Sequence, residues 1–311
     1  MAKDLWIEKY RPKTIDSYVF RDEEQRRQVS IWIKEKSFPH LLLSGSAGIG
    51  KTSLAKILIN EIGIEEYDVL SLNASRENLV DTVRDKIINF VQMIPFGPFK
   101  VVLLDEADYL SHNAQAALRG VMEEYHSTAR FILTCNYPNR IIPALHSRCQ
   151  GFHMSKIDQT EFIARAATIL VEENIDFDLD TLDTFVKSTY PDLRKCINLM
   201  QQSCRDGKLV SANENDEGVS DWKIQMVELL KVGKITETRK LLCGKINTDE
   251  IKDVLIWLSD NHEIFGEDDD TRDQALLIIK QGMVDHALVF DAEVNLAAVF
   301  IKLNRLRPQT K

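Results

Sequence analysis

Cysteine is scarce in this chain. Five occur in 311 residues, at positions 135, 149, 196, 204 and 243, an odd number with no C-x-x-C pair. A zinc ribbon and a disulfide framework are therefore not expected, and a reducing cytoplasm is. No uncharged apolar run reaches the roughly 18 residues that a membrane span needs. The opening MAKDLWIEKY lacks the apolar stretch of a secretion signal. There is no low-complexity tract and no internal repeat. Basic residues are outnumbered by acidic ones, 39 against 48, a formal charge of −9. A chain with that balance does not coat nucleic acid indiscriminately, so any DNA contact needs its cations focused on one surface. What remains is an ordinary globular composition, 44% hydrophobic and 28% charged, long enough for two or three domains.

The most informative stretch is LLLSGSAGIGKT, residues 41–52. Leu41, Leu42 and Leu43 predict a buried parallel strand. Gly45, four further residues, then Gly50, Lys51 and Thr52 fit the phosphate-binding pattern G-x-x-x-x-G-K-[ST]. Glycine lets the backbone curl with its N–H groups inward, and a side chain at Gly48 or Gly50 would block an anion. A helix over about 51–61 aims its positive end at the same point. Lys51 can reach the outer phosphates and the Thr52 hydroxyl can hold Mg²⁺. Ser46, Ala47, Ile49 and Ser53 complete the loop.

Taken in order, residues 22–36 read as a charged amphipathic helix. Before it, Pro12 pins the backbone and disfavours helix at Arg11, and Tyr10, Tyr18 and Val19 either wall a flat ring or pack as a surface arm. A strand is expected at 68–73 and a helix at 77–93, with Val80, Val83, Ile87 and Val91 on one face. The segment Met93-Ile-Pro-Phe96-Gly-Pro-Phe99 is apolar but cannot continue a helix, so it is tucked into the core or wedges into a partner. VVLLDEAD, residues 101–108, predicts a buried strand with Asp105 and Glu106 at its carboxyl end, the ligand-binding edge of an open parallel sheet. One carboxylate there can bind Mg²⁺ and the other can orient or deprotonate water. A helix over 112–125 offers Ala116, Ala117, Val121 and Tyr125 for packing. A strand over 130–136 ends at Asn136, which either meets a phosphate or makes the turn before Pro138.

From residue 158 the alternation of strand and helix stops. Helices are expected at 158–174, 178–188 and 192–205, with Asp192 as an N-cap. Arg194 in the first turn opposes the helix dipole, which suggests another partner for it. Residues 206–220 read as a linker. The remainder reads as all helix, with Trp222, Trp257, Phe290 and Phe300 as core anchors and the acidic run 267–270 as a solvated loop and cap.

Together these motifs resemble the AAA+ ATPases, and among them the small subunits of sliding-clamp loaders of the replication factor C type. The likeness rests on WIEKYRP, GSAGIGKT, LNAS, LLDEAD, AALRGVMEEY, ARFILTCNY, RIIPALHSRC and PDLR. The wording YRPKTIDS is similar to the tailed-phage loader ATPase. The resemblance implies an α/β fold: a phosphate-loop domain with a parallel sheet (residues 1–154), a helical lid (155–207) and an all-α collar (208–311). It implies ATP and Mg²⁺, with Thr52 and Asp105 at the metal. Glu106 would be the catalytic base, and Asn136 and Arg194 the two sensors. The ATP pocket would comprise Tyr10, Arg11, Pro12, Tyr18, Val19 and residues 46–53. Arg148 would reach the ATP of a neighbouring subunit, with Arg130 as a second trans arginine. Asn73 and Arg119 would couple DNA to the nucleotide site. Arg84 would lie on primer–template DNA, with Arg76 and Lys86 at or near the start of the same helix as further candidates. Independently of the resemblance, the Pro-broken apolar loop beside that helix's end suggests that Met93, Ile94 and Phe96 project towards the clamp. Its partners would be further copies of itself and one non-identical subunit in a pentameric spiral, working in the cytoplasm, or that of the host for a phage protein. The chain departs from the family at Gly120, at Arg76-Glu-Asn and at Pro191. The rival readings are another AAA+ replication ATPase, of the initiator or branch-migration type, and a nucleotide-binding scaffold without turnover.

Overall fold

The computed structural model describes residues 5–76, 80–154, 158–210, 222–266 and 268–306, with the side chains of 80–84 and 248–249 also outside the description. The chain divides into two compact units. The first comprises residues 1–175 with 189–201, and the second 176–188 with 202–311.

The first unit carries a five-stranded parallel sheet. Its strands are β1 (Leu41–Ser44), β2 (Val69–Asn73), β3 (Lys100–Asp105), β4 (Ala129–Cys135) and β5 (Gln150–His153), in the order β2-β3-β4-β1-β5. Side chains alternate between the two faces of a strand. Leu41 and Leu43 accordingly pack on one face with Val29 and Trp32 of α2 (Glu23–Glu35) and Leu54 and Leu58 of α3 (Lys51–Ile62). Leu42, Val102 and Leu104 pack on the other with Ile87 and Val91 of α4 (Val80–Val91) and Leu118 and Val121 of α5 (His112–Glu124). Both faces are covered, as the continuous apolar strands require. Preceding α2 is a short helix α1 (Trp6–Lys9). After α5 come α6 (Pro143–His146), α7 (Gln159–Glu172) and, beyond the 176–188 segment, α9 (Leu193–Ser203, its last two residues belonging to the second unit).

The second unit holds α8 (Leu179–Thr189, its last residue belonging to the first unit) and a hairpin of β6 (Cys204–Arg205) and β7 (Lys208–Leu209). Among the described residues, five further helices follow: α10 (Trp222–Lys231), α11 (Ile235–Lys245), α12 (Thr248–Asp260), α13 (Asp269–His286) and α14 (Ala292–Leu306). Leu230, Leu242, Leu258, Ile279 and Phe300 are the centre of its core. On α8, Asp183 bridges Lys187 at 2.9 Å and Lys231 of α10 at 2.6 Å. The indole N–H of Trp257 donates to the Lys187 carbonyl at 2.6 Å.

Several expectations are corrected. The linker does not begin at 206, because residues 206–207 are the turn of the β6–β7 hairpin; residues 211–221 lie outside the described residues. Phe290 is fully exposed rather than a core anchor. It stands in the turn before Asp291, which accepts the first N–H groups of α14. On α5 the buried face is Ala114, Leu118, Val121 and Met122, while Ala116 is exposed. Strand β5 leaves no strand pattern in the sequence, since only Phe152 of its four residues is buried. Tyr10 and Tyr18 are buried, not a surface arm. Asp268 caps α13 as expected, accepting from Thr271 N at 2.9 Å.

Candidate active site

Three strand ends converge at the carboxyl edge of the sheet. Strand β1 leads into the phosphate loop, β3 into the acidic pair and β4, between them, into Asn136. In the loop, Gly45, Gly48 and Gly50 have φ of +152°, +77° and +93°, which L side chains rarely adopt. A Cβ at Gly48 would run into the Asp192 carboxylate, and one at Gly50 would come within 3.0 Å of the Tyr18 ring. Ser46 and Ala47 are exposed at the crest, while Ile49 is buried and anchors the loop.

Lys51 opens α3 and is buried. Its ammonium donates to the carbonyls of Gly45 (2.9 Å) and Ser46 (2.7 Å) and to Asn136 Oδ1 (2.8 Å). Burial pulls its pKa below the ordinary lysine value, opposed by Cys135, Asp105 and Asp108. The Thr52 hydroxyl donates to Asp105 Oδ1 at 2.8 Å. Glu106 follows with a left-handed backbone, φ +58°. Asp108 accepts from the backbone N–H groups of Asn136 (3.3 Å) and Tyr137 (3.1 Å).

A cavity of roughly 290 Å³ adjoins the loop, near the lower bound for small-molecule sites. Tyr10, Arg11, Pro12, Tyr18 and Val19 line it together with Gly48, Ile49, Gly50, Ser53 and Arg194. Burial pushes the Tyr18 phenol above its usual value, and its hydroxyl donates to Ile49 O at 3.3 Å. The expected N-cap at Asp192 is present, accepting from Lys195 N at 3.0 Å. Arg165, which the sequence did not single out, also lines the cavity and donates to Tyr10 O at 3.1 Å, tying α7 to the N-terminal arm. The donor set suits a magnesium nucleotide: backbone curled by glycine, a buried ammonium, and hard oxygens on Thr52 and Asp105.

The other predicted residues lie elsewhere. Arg148 just precedes β5, whose first residue pairs with Leu41, whereas the phosphate loop leaves β1 after Ser44. The four residues of β1 span about 10 Å, so Arg148 stands at the opposite sheet edge from the loop of its own chain. Its guanidinium is paired with Glu123 and donates to Ala144 O at 2.8 Å. Arg119 approaches the same Glu123 carboxylate at 4.0 Å. Arg130, near the start of β4, lines a cavity with Arg148, His40 and His126. It donates to the carbonyls of Phe38 (3.0 Å), His126 (2.6 Å) and Ala129 (3.0 Å). Asn73 Oδ1 holds Ser75, accepting from its N–H at 2.9 Å and its hydroxyl at 2.6 Å. Arg76 and Lys86 are exposed, and the Arg84 side chain lies outside the described residues. Met93, Ile94 and Phe96 are 57%, 87% and 84% exposed, with Tyr67 beside Phe96 at a ring separation of 6.0 Å. Gln115, also unforeseen, is a buried brace: its amide donates to Leu110 O and Arg140 O at 3.0 Å and its oxygen accepts from Ile142 N at 2.8 Å.

This fold and site define an ATPase of the AAA class. Residues 41–155 match the model of the ATPase family associated with various cellular activities. The chain is 35% identical to the replication factor C small subunit of Staphylothermus marinus, over 100% of this chain and 98% of the relative. It is 35% identical to that of Sulfurisphaera tokodaii (96% and 94% covered) and 39% identical to that of Saccharolobus solfataricus (76% and 74%). The chain belongs to the replication factor C small-subunit family. These relatives are archaeal, so the phage likeness stands only on the short chain and the YRPKTIDS wording.

Proposed function

We propose that this chain is the ATP-hydrolysing subunit of a sliding-clamp loader, which uses ATP to open a ring clamp and place it on primer–template DNA. ATP would lie along the carboxyl sheet edge, its base in the cavity walled by Tyr10, Tyr18 and Val19. Lys51, Asn136 and Arg194 would hold its phosphates. Thr52 and Asp105 would hold Mg²⁺, which neutralises phosphate charge when bound. Glu106 would orient water and accept its proton. Arg148 would act on the ATP of an adjoining copy, with Arg130 beside it.

The observation that carries this reading is the placement of Lys51 and Arg148 on opposite edges of one sheet. A guanidinium so placed cannot serve its own chain's phosphate loop, which supports a role on the loop of an adjoining copy. Turnover would then depend on assembly, which suits a machine that must act only when ring and DNA are both engaged.

The three-domain division at 154/155 and 207/208 belongs to the same reading, with the last part as a collar. Exposed apolar residues on α13 and α14 and the turn between them (Leu277, Leu288, Phe290, Val294) support a face that other loader subunits cover. DNA would be gripped through phosphates by Arg76, Arg84 and Lys86, without base readout, and coupled to the site through Asn73 and Arg119. Met93, Ile94 and Phe96 would meet the clamp. The setting is the cytoplasm; no helix among the described residues is long and apolar enough to cross a membrane.

The test is ATP turnover by the assembled loader with and without primer–template and clamp. Stimulation by both, with DNA binding that weakens steeply as salt rises, is expected. Turnover indifferent to both would contradict the proposal.

A further inference from the structure

Strand β4 lies between the phosphate-loop strand and the acidic strand, and one of its side chains touches both residues of the acidic pair. Thr134 is 1% exposed. Its hydroxyl donates to Asp105 Oδ1 at 2.5 Å and accepts from the backbone N–H of Glu106 at 3.0 Å. A hydroxyl has one proton and two lone pairs, so both bonds form at once. Asp105 Oδ1 thus receives two hydroxyls, from Thr52 and from Thr134.

Glu106 has φ +58°, a left-handed conformation that is strained for a residue with a Cβ. Such backbones persist where the surroundings over-determine them, and they cluster at functional sites. Here the surroundings are the Thr134 hydroxyl, on the Glu106 N–H, and the Tyr109 N–H, which donates to Glu106 O at 3.0 Å. Two residues further along the chain, just past the end of that strand, Asn136 meets the Lys51 ammonium. The strand that leads into the lysine's partner therefore also fixes the carboxylate at the metal position and the backbone of the general base.

We propose that Thr134 is a positioning residue, whose one hydroxyl holds Asp105 and Glu106 in register with Lys51 and Asn136. The inference rests on the ATP-site reading above. Valine has threonine's shape without its hydroxyl, so T134V removes both bonds and keeps the packing, while T134S keeps the bonds and removes the methyl group.

The test uses the full-length chain and a fluorescent, non-hydrolysable ATP analogue, titrated with and without Mg²⁺. T134V is expected to weaken Mg²⁺-dependent binding about 10- to 100-fold, the usual effect of losing a group that orients a metal ligand. Metal-free binding should stay near wild type, the unfolding midpoint should fall modestly for the lost buried hydrogen bonds, and T134S should restore the Mg²⁺ response. A T134V protein with the wild-type Mg²⁺ response overturns the proposal. So does a T134S protein as impaired as T134V, because the methyl group would then be what matters. If T134V does not fold, T134A removes the hydroxyl without placing a new methyl against Asp105 and is judged the same way. Wild-type protein whose nucleotide binding ignores Mg²⁺ would instead overturn the ATP-site reading itself.

Discussion

Lys51 Nζ and Asn136 Oδ1 lie 2.8 Å apart although 85 residues separate them in the chain. The first residue of the helix after β1 and the residue after β4 thus share a hydrogen bond where the outer phosphate would lie. Asn136→Ala should lower kcat by about 100-fold, the scale for losing one preorganised polar group. KM for ATP should move much less, because Lys51 and the loop backbone still bind. Steady-state kinetics of the assembled loader would check the split, and a change confined to KM would mean that Asn136 only aids binding.

His40 precedes β1, and its Nδ1 accepts from the backbone N–H of Phe131 at 3.1 Å. Burial, with the charges of Arg130 and His126, holds its pKa down to about 4. The unfolded chain takes up this proton near pH 6.5 and the folded chain does not. Stability should therefore fall as pH drops from about 6.5 and level off below about 4. Asn offers an oxygen in place of Nδ1 but does not titrate. Thermal unfolding of H40N across that range should show a shallower decline than wild type, and parallel curves would remove His40 as the cause.

Asp68 and Lys100 form an ion pair at 3.1 Å with both side chains almost wholly buried. Asp68 Oδ2 also accepts from Gly97 N at 2.7 Å, fastening the loop that carries Phe96. Breaking such a pair from one side leaves an unmatched charge and costs about 3–5 kcal/mol. D68A should lose that much in urea unfolding, and the apolar double variant D68L/K100M should recover most of it. Equal instability of both would mean that packing, not the stranded charge, sets the cost.

The local parts of the site were legible in the sequence. The loop glycines, Lys51 and Thr52 act within a few residues of one another, and their spacing alone carries the geometry. Asp105 and Glu106 were legible because an apolar strand ending in acid has one natural place in a parallel sheet. Contacts across the sheet were not legible. Thr134 meets Asp105 across 29 residues, and Gln115 braces a loop 25 residues away. Neither sits in a pattern with a period. Strand β5 offered too few apolar residues to register. Phe290 was misplaced because residue type suggests burial, while only the structure shows the turn that exposes it. Tyr10 and Tyr18 were left open for the same reason, since a cavity wall and a surface arm have the same composition.

Phe96 is 84% exposed in a loop that Pro95 and Pro98 keep from being helical. If this loop meets the clamp, Phe96→Ala should weaken clamp binding by about 2 kcal/mol, a usual cost for a buried aromatic anchor. Basal ATP hydrolysis should be unchanged, because the loop is not part of the nucleotide site. Calorimetric titration of the loader with the clamp would check this, and unaltered affinity would remove the loop from the interface.

The opposite-edge placement of Lys51 and Arg148 is tested most directly by mixing subunits. Loaders built only from K51A chains should be severely impaired, and loaders built only from R148A chains should lose about 10³- to 10⁵-fold in ATP turnover. Loaders reconstituted from both should regain part of it, because some junctions then pair an intact loop with an intact guanidinium. R148A loaders that hydrolyse ATP at the wild-type rate would contradict the account.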